Sequence, residues 1–145
     1  MKLAFFHRKG PRTAGREQFG REFVSEFLKQ CGRAKKYDVL ATATALTARS
    51  IGKAVRALSK RDKFDELFVS GGGTRNLTLM EMIRSEVAEL GITVLATDAA
   101  GVPSQAKEAI AFALLAYQTW QRKPSNVPGA TGASREAVLG KVSYV

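Results

Sequence analysis

Apolar residues recur along this chain with two different periods, and the switches between them lay out its elements. Between Glu17 and Cys31 they fall at 19, 23, 24, 27, 28 and 31, which predicts an amphipathic helix closed by Gly32. A second helix is predicted from Val39 to Leu58 behind an Asp38 N-cap, with Val39, Ala43, Leu46, Ile51, Ala54, Val55 and Leu58 on its apolar face. Thr42, Thr44 and Thr47 lie inside it, where hydroxyls bond back to carbonyls one turn earlier. Leu67-Phe68-Val69 reads as a short buried strand. Leu77, Met80, Ile83, Val87 and Leu90 then mark one face of a helix that Gly91 ends, and Ile92 to Ala96 forms a second strand. Strand, helix, strand at this spacing predicts a parallel βαβ unit.

The flanks carry weaker patterns. Met1 to Arg16 is basic and reads as a loop, or as a short strand from Leu3 to Phe6 followed by a loop. Thr97 to Val102 reads as a turn, and Pro103 suits the first position of a helix to about Arg122. That helix is apolar nearly all round from Ala109 to Tyr117, so burial on more than one side is expected. KPSNVPGATGAS, from Lys123 to Ser134, reads as an ordered loop, and Glu136 to Tyr144 regains an apolar pattern behind Ser134. The expected class is α/β, a parallel βαβ unit packed with several helices in a single domain over residues 1–145.

Charge changes the picture more than composition does. The formal net charge is +10, but residues 1–63 hold 16 Lys/Arg against 5 Asp/Glu and the remainder 7 against 8. So basic a half suits nucleic acid, an anionic partner or small anions. Phe19, Phe23 and Phe27 recur there at helical spacing, as core residues do, and not as a base-stacking platform. No nucleic-acid partner is therefore expected. The longest apolar run falls far short of the ~20 residues that cross a bilayer, so no membrane association is expected either. The first residues lack the apolar core of a secretory signal, and Gly10, Pro11 and Gly15 interrupt any presequence-like helix. The single cysteine, Cys31, suits a reducing compartment and reads as a small core residue. His7, the only histidine, has no companions at ligand spacing, so no metal site is expected.

The chemistry-bearing stretch is LFVSGGGTRN, Leu67 to Asn76. A strand, three glycines and a helix start favour an anion, because glycines admit close backbone approach and a helix start offers unpaired N–H groups. A plain turn is the bland alternative. Gly71 and Gly73 also give G-x-G, with Asp98 just past the second strand where a ribose-binding acid would lie. Asn76 stands at the third glycine position, however, and no further βα repeats follow, which weighs against a dinucleotide fold. Glu108 lies one turn into the last long helix. It either serves the helix N-terminus or is held in a cleft for a ligand.

Six segments resemble the anhydro-N-acetylmuramic acid kinase family of the actin-like sugar-kinase superfamily. GGGTRN (Gly71 to Asn76) looks like its adenosine/phosphate motif, and RTAGREQFG (Arg12 to Gly20) is similar to its K-S-T-G-R-E-x-F segment. DVLATATALTARSI (Asp38 to Ile51) and TDAAGVP (Thr97 to Pro103) resemble its threonine-rich helix and its T-D-x-x-G-I-P turn. EAIAFALLA (Glu108 to Ala116) and VPGATGAS (Val127 to Ser134) resemble the closing helix and loop. The resemblance implies the C-terminal part of an actin-like ATPase (ribonuclease H-like) domain in a cytoplasmic kinase using ATP and Mg2+. Such enzymes open the 1,6-anhydro ring of a sugar hydrolytically and phosphorylate O6, in peptidoglycan recycling. It also implies nucleotide contacts at Gly71, Gly72, Gly73 and Asn76, and a sugar contact at Glu108.

The family's G-T-S-x-D-G phosphate loop and the aspartate that activates water occur nowhere in this sequence. The resemblance covers only the C-terminal portion, so the N-terminal lobe is expected to be absent, with no catalytic residue assignable here. Asp38, Asp62, Asp65 and Asp98 do not match the base position. Alone, the chain is expected to be an inactive fragment or half of a split enzyme, exposing an apolar face. Its expected partners are ATP, a 1,6-anhydro sugar, and the missing lobe or a homologous chain, including a second copy in a homodimer. A levoglucosan kinase-like fragment and a degenerate, non-catalytic nucleotide-binding module are the alternatives.

Overall fold

The computed structural model describes residues 4–7 and 14–143, in two compact units: Met1–Phe27 with Glu108–Val145, and Leu28–Lys107. In chain order the elements are α1 (Arg16–Phe19), α2 (Arg21–Cys31), α3 (Lys36–Leu58), β1 (Glu66–Val69), α4 (Leu77–Val87), β2 (Thr93–Ala96), α5 (Lys107–Trp120) and α6 (Pro128–Thr131). Several single 3-10 turns join them.

The second unit holds the βαβ arrangement. β1 and β2 pair in parallel with Leu67 opposite Val94 and Val69 opposite Ala96. Alternation along each strand sends those side chains to one face, where α4 covers them. Met80, Ile83 and Val87 of α4 are buried with Ile92, Val94 and Ala48 of α3, and Ile51, Val55, Leu67 and Val69 pack around them. The spacing of 80, 83 and 87 is that of one helix face, so the predicted period is what closes this core. The other face of β1 carries Phe68, which is exposed.

α3 can sit this close to α4 because Gly52 is buried and has no side chain. A Cβ placed there would lie 2.7 Å from Glu86 Cβ. The Glu86 carboxylate reaches past Gly52 to Arg56, one turn along α3, at 2.6 Å, and Arg49 stands 3.8 Å away on the other side. Arg56 also donates to the Glu86 carbonyl at 2.5 Å. Arg56 is nearly half exposed, so this pair contributes at most about 1 kcal/mol and sets register more than stability.

Helix boundaries differ from expectation for local reasons. Gly20 takes an extended backbone and splits the first predicted helix into α1 and α2. α3 begins at Lys36, with Asp38 already bonded through its N–H to Lys35 O, so Asp38 lies in the first turn and is no N-cap. An acid suits that first turn electrostatically. Thr42, Thr44 and Thr47 do donate to the carbonyls of Asp38, Leu40 and Ala43. The predicted strand at Leu3 to Phe6 is a 3-10 turn over Ala4–His7 where described, and Leu3 lies outside the described residues. Cys31 is half-buried, not core.

In the first unit, Phe5, Phe6, Phe19 and Phe23 pack ring against ring at centroid distances of 5.2–5.9 Å. α5 starts at Lys107, four residues after Pro103, because residues 104–106 turn first. None of its residues is buried, and Ile110, Phe112, Leu114, Tyr117 and Trp120 are exposed, contrary to the burial its composition predicts. The pattern marks a surface suited to burial that the described residues do not cover. Among the described residues no helix follows Ser134. Instead Asn126 donates to Arg135 O at 2.9 Å and accepts from Ala137 N–H at 2.6 Å, so its side chain takes backbone groups a helix would need. Tyr144 lies outside the described residues.

Gly52→Ala separates two opposed effects. Helix propensity alone would stabilise α3 by ~1 kcal/mol. A methyl forced against the Glu86 stem should instead destabilise the fold by about 1–3 kcal/mol. Urea unfolding is expected to show the second sign; a gain in stability would mean that α3 and α4 do not meet at Gly52.

Candidate functional site

Parallel strands leave their carboxyl ends side by side, and the two turns that follow β1 and β2 form the polar corner of the second unit. After Val69 and Ser70, Gly71 takes φ +86, a left-handed conformation that glycine adopts without strain. Gly72 to Arg75 then make one 3-10 turn, and α4 starts at Leu77. Within that turn Thr74 N–H donates to Gly71 O at 3.1 Å and Asn76 N–H to Gly73 O at 3.0 Å. Thr74 Oγ1 also donates to Gly71 O, at 2.8 Å. The N–H groups of Gly72 and Gly73 open the turn, where no carbonyl within it can reach them. Both glycines are exposed, and a Cβ on Gly71 or Gly72 would meet nothing within 4 Å. The backbone at Gly71 and Gly72 is therefore uncovered on the side where a side chain would stand. Its donor set fits the oxygens of a phosphate.

Asn76 belongs to the same turn but has a structural role, because its Oδ1 accepts from Leu79 N–H at 3.0 Å and so caps α4. The structure thus brings Gly71, Gly72, Gly73 and Asn76 together on one turn. Glu108 belongs to the first unit, exposed in the opening turn of α5. Among the described residues no group of three or more His, Cys, Asp or Glu is placed to hold a metal ion. Nor is any helix among them long and apolar enough to cross a membrane.

The turn after β2 carries side chains that pattern reading passed over. Thr97 Oγ1 donates to Ser70 Oγ at 3.3 Å and lies 3.3 Å from Ser104 Oγ. Ser104 is buried; its hydroxyl donates to Asp98 Oδ2 and its N–H to Asp98 Oδ1 at 3.3 Å. Those two Ser104 bonds, the hydroxyl first, hold the Asp98 carboxyl below the ordinary 3.8. Each carboxylate oxygen thus accepts one bond from Ser104 within the turn. A Ser or Thr next to each strand end, with T-D and a serine six residues on, was the available signal.

Against known proteins, the sequence matches the family model described as Anhydro-N-acetylmuramic acid kinase over residues 1–145. It is 44% identical over 145 residues to the anhydro-N-acetylmuramic acid kinase of Bacillus cereus (strain Q1). Identity is 41% to those of Bacillus thuringiensis subsp. konkukian (strain 97-27) and Bacillus thuringiensis (strain Al Hakam). Each alignment takes in 99% of this chain and 38% of the relative. The chain thus spans 38% of the length of these curated relatives.

The carboxylate geometry has a pH consequence. Because the folded-state value is the lowered one, the bonds to Ser104 stabilise the turn above 3.8 and are lost only as pH falls through that lowered value. A carbon-detected NMR titration should place Asp98 below 3.8, and Ser104→Ala should bring it back up. An unchanged Asp98 in the Ser104→Ala protein would contradict the geometry.

Proposed function

The chain belongs to the anhydro-N-acetylmuramic acid kinase family, and from that premise we propose that it supplies the nucleotide- and sugar-contacting part of an ATP-dependent kinase of 1,6-anhydro sugars. In the proposed reaction water adds across the anhydro bridge while the γ-phosphoryl group of ATP passes to the freed O6, giving the sugar 6-phosphate and ADP. The observation that carries this reading is the glycine turn at the carboxyl end of a parallel strand pair, with Gly72 and Gly73 exposed and open space where a Cβ on Gly71 or Gly72 would stand. A phosphoryl group in transfer needs positioning and charge stabilisation more than covalent help, and fixed amides supply both.

In this reading the N–H groups of Gly72 and Gly73 hold phosphate oxygens. Gly71 lets the chain turn there, and Asn76 fixes the start of α4. Glu108 accepts hydrogen bonds from sugar hydroxyls. Its exposed carboxylate, in the opening turn of α5, is open to such a ligand. Mg2+, bound to the nucleotide, supplies charge neutralisation. The βαβ unit is the C-terminal part of an actin-like, ribonuclease H-like domain, working in the cytoplasm. General-base activation of water needs a carboxylate within reach, and a complementary N-terminal lobe or a homologous chain provides it. The exposed apolar side chains of α5 offer surface for such a partner.

Gly72 allows a clean test, because a side chain there meets open space within the protein and so tests the ligand and not the fold. Mixed with the N-terminal portion of a Bacillus relative's kinase, the wild-type chain should bind ATP and phosphorylate 1,6-anhydro-N-acetylmuramic acid in the presence of Mg2+. Levoglucosan is the control sugar. Gly72→Val should lower ATP affinity at least about tenfold with an unchanged melting temperature, the loss of a single good contact. Equal ATP affinity in the variant would remove the turn from the site.

A further inference from the structure

Counting protons along the polar side chains between the two strand ends leaves one hydroxyl hydrogen unassigned. A serine or threonine hydroxyl has a single hydrogen to give. Ser104 gives its hydrogen to Asp98 Oδ2, since an ionised carboxylate can only accept. Thr97 has one hydrogen and two hydroxyl oxygens at 3.3 Å, Ser70 Oγ and Ser104 Oγ; the angles make it the donor towards Ser70. Ser70 therefore receives a hydrogen bond from Thr97 and keeps its own hydrogen, for which no acceptor stands among the described residues. Ser70 is half-buried, directly precedes Gly71, and has its Oγ fixed from the β2 side. A half-buried hydroxyl that accepts from Thr97 and immediately precedes the glycine turn keeps its own hydrogen to give to a ligand there.

We propose that Ser70 donates a hydrogen bond from its hydroxyl to a phosphate oxygen of the nucleotide at the glycine turn, and that Thr97 is the residue that orients it. This rests on the nucleotide reading of the turn and adds to it a side-chain contact and a positioning residue. The geometry also gives Thr97 a reason to be a threonine at that place: among the described residues, its hydroxyl makes the side-chain bond that joins the turn after β2 to the strand end of β1. Valine would keep the shape and lose the orientation, whereas serine would keep the hydroxyl.

ATP, ADP and adenosine binding, measured by calorimetry on the wild-type chain mixed with the N-terminal portion of a relative's kinase, tests this. Ser70→Ala should weaken ATP and ADP about tenfold, leave adenosine unchanged, and keep the melting temperature. Thr97→Val should reproduce part of that loss, and Thr97→Ser should restore it. ATP binding as tight as wild type in Ser70→Ala, while Gly72→Val loses it, overturns the Ser70 contact and leaves the turn's role intact. An equal loss for adenosine overturns it too, because that marks a structural effect. No nucleotide binding by the wild-type mixture overturns the reading of the turn and this contact together.

Discussion

The seat of α4 on α3 at Gly52 is the constraint on which the described second unit depends. A two-stranded parallel sheet is marginal by itself, since such sheets are normally covered on both faces. Here one face is sealed by α4, and α4 is in turn held by α3 at a distance that only a missing side chain permits. Burial of Ile83 and Val87 follows from that approach, and so does the alignment of β1 with β2 beneath them. The Arg56–Glu86 contact fixes the rotation of the two helices more than it stabilises them.

From this seat the site follows by geometry. α4 is anchored along its buried face, so its first turn has a fixed place at the end of β1. Asn76 caps it, Gly71 with its positive φ makes the bend into it, and the exposed Gly72 and Gly73 open the turn between them. On the neighbouring strand, Asp98 and Ser104 close the second turn on itself, and Thr97 ties that turn to Ser70. Rigid elements thus carry a small set of donors, an arrangement suited to the phosphate we propose for it, since fixed donors need no reorganisation on binding.

Much of this was legible in the chain, and the parts that were not share a cause. The parallel βαβ unit, the helix from Leu77 and the back-bonded threonines all follow from local periodicity or local hydrogen bonding and are present, though the α-helix ends at Val87 and Gly91 closes the 3-10 turn Ala88–Leu90 that follows it. The break at Gly20, the start of α3 ahead of Asp38 and the delayed start of α5 depend on backbone choices that apolar spacing does not encode. Burial of α5 failed as an expectation because composition reports what a surface suits, while the described residues decide what covers it. At the site, the glycines and Asn76 were readable as a motif. The hydroxyl chain was not, since its members come from two turns 27 residues apart and meet only through strand register.

Amide NMR of the turn during addition of ATP and Mg2+ to the chain, with the N-terminal portion of a relative's kinase present, tests the central claim most directly. Saturable displacement of the Gly72 and Gly73 N–H resonances is expected, with the amides of the buried residues Ile83 and Val87 unmoved. Saturable binding that shifts other residues and leaves Gly72 and Gly73 where they were would contradict it.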